Sequence, residues 1–295
     1  MAAKQIVVAV DASERTMDPV RLGEDFARLL GAPVVLFSAF PYAPLQDLEG
    51  QVERQARDDG RKILLELGAT MDGIEVADAQ VVASNSPARE LQRISEEDGV
   101  GLIVVGSTHR GRMGRVVPGA VGERLLSGSA CPVAVAPVGY ADREGRELRR
   151  IGVAFDGSEE ARRALGSAVN LAGRSQADLR VITVHHPVTF GSESLYAGPL
   201  PVASVNEQLE ADARDTMAQA VTQVRSEVSA EGEFAVGDPA EVLARKSADV
   251  DLLVTGSRGY GPLGAVLLGG TTHHLVSAAA CPVLVIARGD MLQSS

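Results

Sequence analysis

The chain repeats itself, and that repeat limits its architecture more than any single motif does. Ile6-Val7-Val8-Ala9-Val10-Asp11-Ala12-Ser13-Glu14 returns 145 residues later as Ile151-Gly152-Val153-Ala154-Phe155-Asp156-Gly157-Ser158-Glu159. Leu102-Ile103-Val104-Val105-Gly106-Ser107 returns as Leu252-Leu253-Val254-Thr255-Gly256-Ser257, and Ala130-Cys131-Pro132-Val133 as Ala280-Cys281-Pro282-Val283, both at an offset of 150. Between these anchors Ser86-Pro87-Ala88 matches Asp238-Pro239-Ala240 at an offset of 152. Self-similarity of this extent predicts two copies of one domain. The 295 residues suffice for two cores of ordinary size, about 150 residues each. The drift in offset from 145 to 152 puts a net seven-residue insertion in the second copy, in the Gly/Pro/Ser-rich stretch Pro187–Ser204. The polar stretch 139–149 reads as a linker, giving domains at 1–138 and 150–288.

Within each copy, short β-branched runs alternate with segments whose apolar residues recur every three or four positions. That alternation predicts an α/β fold, a parallel sheet with helices on both faces. Strands are expected at 5–10, 33–39, 77–82, 101–105 and 132–136, and again at 150–155, 179–184, 233–236, 251–255 and 282–286. Amphipathic helices are expected at 19–30, 52–67 and 87–97, and at 160–172, 205–227 and 239–248.

Composition narrows the partners. Lys+Arg 28 against Asp+Glu 39 leaves a net charge of −11, a field that repels nucleic-acid backbones. No apolar run reaches the roughly 18 residues of a membrane span, and the run Ile6–Val10 stops at Asp11 before it could serve as a signal-peptide core. A soluble, cytoplasmic protein without membrane or nucleic-acid partners is the expectation. Two cysteines, Cys131 and Cys281, are too few for a disulfide scaffold or a four-thiolate zinc site and read as small buried residues.

Open parallel sheets bind ligands beyond the carboxyl ends of their strands. Two features fall there. Asp11 and Asp156 close the first strand of each copy, followed by Ala12 and Gly157. Each acid suits either a turn that caps the next helix or a ligand contact. After the fourth strand of the second copy comes Gly256-Ser257-Arg258-Gly259-Tyr260-Gly261, running on through Gly264 to Gly269-Gly270-Thr271-Thr272 and then a helical pattern. Glycines let backbone approach a ligand and a helix N-terminus favours an anion, so phosphate is the natural guest. Gly259-x-Gly261-x-x-Gly264 formally fits the dinucleotide fingerprint, but it follows a fourth strand and no acid stands about 20 residues on. None of Lys4, Lys62 and Lys246 follows a glycine, which excludes a P-loop, and there is no Gly-x-Ser-x-Gly elbow. His109, His185, His186, His273 and His274 lack the spacing that puts two metal ligands on one helix face.

Together these residues resemble the universal stress protein family in its tandem two-domain form. Its nucleotide-binding members carry Gly, two residues, Gly, nine residues and Gly-Ser/Thr after the fourth strand, with an Asp closing the first. Gly256, Gly259 and Gly269 fall on the glycines and Asp156 on the acid. Gly270 stands where the hydroxyl residue belongs, with Thr271 and Thr272 directly after it. The first copy keeps Asp11, Gly106 and Gly119 but has His109 for the second glycine and Ala120 for the hydroxyl. Arg110, Arg112 and Arg115 could restore charge there, although the glycine pattern favours the second copy as the tighter site. The resemblance implies a flavodoxin-like (adenine nucleotide alpha hydrolase-like) sheet in the order 3-2-1-4-5 in each domain. It also implies ATP, with or without magnesium, between strands one and four. Asp11 or Asp156 and the backbone near Ala39 or Val184 would hold adenosine, and the glycine loop, with Arg258, the phosphates. It implies pairing of the two domains through their fifth strands, and a homodimer is a further possibility. A regulatory stress-response protein with no fast catalysis follows. The alternatives are a slow nucleotide hydrolase and a nucleotide-free interaction scaffold.

Overall fold

The computed structural model describes residues 4–11, 16–40, 51–108, 114–116, 118–145, 147–188, 202–257, 274–287 and 292. The first copy runs β1 (Gln5–Ala9), α1 (Met17–Leu30), β2 (Val34–Phe40), α2 (Gln51–Gly68), β3 (Val76–Ala83), α3 (Pro87–Ser95), β4 (Val100–Gly106), α4 (Ala120–Gly128) and β5 (Val133–Ala136). The second runs β6 (Arg150–Ala154), α5 (Glu159–Ser175), β7 (Asp178–His185), α6 (Val202–Val224), β8 (Ala230–Val236), α7 (Pro239–Lys246), β9 (Leu252–Gly256) and β10 (Val283–Ile286). The strands form one sheet in the order β3-β2-β1-β4-β5-β10-β9-β6-β7-β8, so each copy has the order 3-2-1-4-5. Neighbours are parallel except at the centre, where β5 and β10 are antiparallel.

That central seam follows from composition. Val133-Ala134-Val135-Ala136 and Val283-Leu284-Val285-Ile286 are apolar at every position, and all eight residues are buried. Val283 lies opposite Val135, Leu284 opposite Ala134 and Val285 opposite Val133. Covering these edges with each other removes two templates for aggregation. A single apolar cluster joins Ile6, Leu36 and Ala134 of the first copy to Ile151, Leu179 and Leu284 of the second. The copies therefore share a core.

Two details depart from the sequence expectation. The stretch from 139 is not a free tether: Gly139 and Ala141 donate their N–H groups to the Asp18 carboxylate of α1 at 2.9 and 2.8 Å. Between them Tyr140 is buried, and its hydroxyl donates to Asp25 at 2.9 Å. An aromatic ring in a polar segment finds its cover on the neighbouring helix. Strand β8 also begins three residues earlier than the apolar pattern suggests. Its charged residues Glu231 and Glu233 are ion-paired with Arg180 and Lys246, so the acids decorate an edge strand without breaking it.

Matched devices hold the turn before each fifth strand. The Ser95 hydroxyl accepts the N–H of Ala130 at 2.9 Å, and the Ser247 hydroxyl that of Ala280 at 2.8 Å. Cys131 and Cys281, just beyond, are buried. Burial pushes the Cys281 thiol up to about 12, so it stays protonated and is no nucleophile at neutral pH. Among the described residues, no helix is long and apolar enough to cross a membrane.

Candidate functional site

Each copy opens a cleft beyond the carboxyl ends of its first and fourth strands. In the first copy the cavity is about 280 Å³. Its floor is apolar, from Ala9, Phe37, Ala39 and Val105, and α3 adds Pro87 and Leu91 as a side wall. Asp11, Ser107, Thr108 and the start of α4 from Gly119 and Ala120 to Gly122 rim it with polar groups. Helix α4 starts at Ala120, and its N-cap Gly119 has no side chain with which to cap it. The helix's first N–H groups face the cleft rim, where an anion would satisfy them. Ser107 is fixed by donating its hydroxyl hydrogen to the Ala136 carbonyl of β5 at 2.6 Å. Asp11 is exposed, and its carbonyl accepts the Thr16 hydroxyl as the chain turns into α1.

The second-copy cleft is lined by Ala154, Asp156, Ile182, Val184, Thr255 and Gly256, with Pro239 and Leu243 of α7 as its wall. Leu275 closes it from the segment that follows the glycine loop. Asp156 serves a turn as well as the cleft: its Oδ1 accepts from the Ser158 N–H at 3.1 Å and the Ser158 hydroxyl at 2.6 Å. Ser158 in turn caps α5 by accepting the N–H of Ala161 at 3.2 Å. The turn thus holds this carboxylate in place at the cleft mouth. Gly157 has a φ of 79°, which disfavours other residues, and a Cβ there would lie 2.8 Å from the Thr216 methyl of α6.

Gly256 and Gly106 have a structural reason that the motif reading missed. A Cβ on Gly256 would sit 2.8 Å from the backbone carbonyl of Glu160 in the first turn of α5, and one on Gly106 would sit 3.1 Å from Pro19 Cδ in α1. Both glycines let the first helix of their copy approach the end of the fourth strand. Gly256→Ala is therefore expected to destabilise the protein without ligand by about 1–3 kcal/mol through overpacking. Denaturant unfolding checks this, and unchanged stability would return Gly256 to a purely ligand-facing role.

Of the other predicted site residues, Ala12, His109, Arg110, Arg258, Gly259, Gly269, Gly270, Thr271 and Thr272 lie outside the described residues. So do Arg112 and the remainder of the second glycine loop. Arg115 is turned to another use: its guanidinium donates to the Ala278 carbonyl of the second copy at 2.7 Å. His185 is buried, and among the described residues its Nε2 has no hydrogen-bond partner, while Nδ1 of exposed His186 lies 3.2 Å from the Gly237 carbonyl oxygen. Among the described residues, no three His, Cys, Asp or Glu side chains converge to hold a metal. The α3 and α7 walls were missed, although the matching Ser86-Pro87-Ala88 and Asp238-Pro239-Ala240 marked those helix starts as repeated features.

The sequence model of the Universal stress protein family matches residues 2–137 and again residues 147–287. A universal stress protein of Mycolicibacterium smegmatis is 25% identical over 297 residues, covering 95% of this chain and 96% of its own. Universal stress protein YxiE of Bacillus subtilis is 31% identical over 141 residues, 45% of this chain and 95% of its own. The crystal structure of a universal stress protein from Archaeoglobus fulgidus superposes with a TM-score of 0.67 at 21% identity, covering 97% of each chain. That likeness concerns the fold.

Proposed function

The chain belongs to the universal stress protein family, and from that membership we propose that it is an adenine-nucleotide-binding regulator of a stress response, with domains at 1–138 and 150–288 and ATP held at the strand ends of each. The observation that carries the reading is the first-copy cleft, with an apolar floor at one end and the N-terminus of α4, whose N-cap is Gly119, at the other. A purine has flat, apolar faces, and a phosphate chain is anionic. Ala39, Phe37 and Leu91 would enclose the base, Asp11 would accept hydrogen bonds from the ribose, and the α4 amides with Ser107 and Thr108 would meet phosphate. In the second copy Val184, Asp156 and the loop at Gly259, Gly269 and Thr271 would take the same parts. Magnesium, where present, would have to arrive with the phosphates, since each cleft offers few acidic groups.

Among the described residues, neither set of lining residues includes a lysine or histidine, and the ionisable groups present are the acids Asp11 in the first cleft and Asp156 and Glu160 in the second. The absence of a lysine clamp on the phosphates favours a regulatory ligand over rapid hydrolysis in this reading. The scaffold reading draws on a specific observation too: Gly106 and Gly256 are explained by helix packing alone. Mass spectrometry of the small molecules released by denaturing the purified protein separates the readings. ATP is expected. ADP or AMP in its place would favour slow hydrolysis, and no nucleotide together with no uptake of added ATP would favour the scaffold.

A further inference from the structure

A short segment of the first copy is bonded to the turn that follows the wall residue Leu275 of the second copy's cleft. After β4 and Thr108, the chain is described again from Gly114 and reaches the start of α4 at Gly119. Its base is closed by an antiparallel bridge between Ser107 and Pro118. Gly114 donates to the Val138 carbonyl at 2.8 Å, and Val138 donates back to the Arg115 carbonyl at 3.0 Å. The next bonds leave the copy. The Val116 N–H donates to the Ala279 carbonyl at 2.9 Å, and the Arg115 guanidinium to the Ala278 carbonyl at 2.7 Å.

Ala278 and Ala279 belong to a turn whose N–H groups both reach the Leu275 carbonyl at 3.0 Å. Leu275 is fully buried and forms part of the second cleft's wall. Val116 is also fully buried, in one apolar cluster with Val276 and Ala279. Val116 therefore stands three positions before Gly119 on the rim of one cleft, and Ala279 four positions after Leu275 in the wall of the other. The side-chain clamp is particular to this copy, because the repeat offset of 150 puts Ala265 where Arg115 stands.

We propose that Gly114, Arg115 and Val116 act as a strap that couples the two clefts, so that a nucleotide ordering one rim orders the wall of the other. The proposal rests on the nucleotide reading above. Its physical basis is that the first ligand bears part of the ordering cost that the second would otherwise meet, which makes occupancy cooperative without a large change of shape.

Hydrogen exchange in full-length chains with one cleft filled tests it. In Val184→Trp, ATP can enter only the first cleft, and exchange at the Ala278 and Ala279 amides is expected to slow at least about threefold on adding ATP. Arg115→Ala in that background, which leaves the Val116 bond in place, should remove much of the slowing, and Arg115→Lys should retain more of it. In the mirror variant Ala39→Trp, the Val116 amide is the reporter. Isothermal titration of each variant measures ATP uptake, and Val184→Phe replaces Val184→Trp if the larger ring prevents folding. ATP uptake with no change at the far amides would overturn the coupling and leave the nucleotide reading standing. Absence of ATP uptake by both variants and by the unaltered chain would overturn both.

Discussion

Leu284→Asp is expected to destabilise the whole chain by at least about 4 kcal/mol, because it places a carboxylate at the centre of the seam where nothing can pair with it. Leu284 is fully buried opposite Ala134. It belongs to the cluster that runs from the first copy into the second, so the loss is not confined to one half. Against a typical total stability of 5–15 kcal/mol, such a change is large, and at about 2–4 °C per kcal/mol the melting temperature should fall by roughly 8 °C or more. Leu209→Asp is the control: that residue is exposed on α6 and its replacement should cost little. Calorimetry should show one transition for the unaltered chain. Two well-separated transitions, with only the second lowered by Leu284→Asp, would mean that the copies fold independently and the shared core contributes little.

The second large effect concerns the first cleft. Ala39 ends the floor contributed by β2 and faces the cavity of about 280 Å³. Ala39→Trp fills the space assigned to the base and should weaken ATP binding there by about 100-fold, or roughly 2.8 kcal/mol. Because the new ring enters a cleft and displaces no core side chain, the melting temperature without nucleotide should stay close to that of the parent. Titration calorimetry should show the uptake per chain falling by one site. Undiminished uptake would place ATP elsewhere on the molecule.

The architecture was legible because the repeat ties distant strands to one another, and because β5 and β10 advertise burial on both faces through unbroken apolar runs. The edge strand β8 was legible only in part. Its acids Glu231 and Glu233 look like loop residues until Arg180 and Lys246, far apart in sequence, are seen to pair with them. The docking of Tyr140 on α1 was hidden for the same reason, since a polar segment shows nothing of the helix that will cover its one ring. Of the residues that line the clefts, Asp11 and Asp156 were named from the strand ends, and Ala39, Val184 and Gly119 from the family resemblance. Pro87, Leu91, Pro239 and Leu243 were not, because an apolar wall residue at a helix start looks like any core residue in a linear pattern. Gly106 and Gly256 were found for one reason and have another: a missing Cβ serves a neighbouring helix as readily as a ligand, and spacing alone does not distinguish the two.

Photolabelling with 8-azido-ATP, followed by mass spectrometric mapping of the labelled peptides, tests most directly whether nucleotide sits at the strand ends. Labelling competed by unmodified ATP is expected in peptides that contain the end of β2 with Pro87–Leu91, and in those that contain the end of β7 with Pro239–Leu243. Label confined to the groove between the copies, where Arg143, Arg149 and Arg174 gather at the opposite end of the helices, would contradict the account, as would labelling that ATP does not displace.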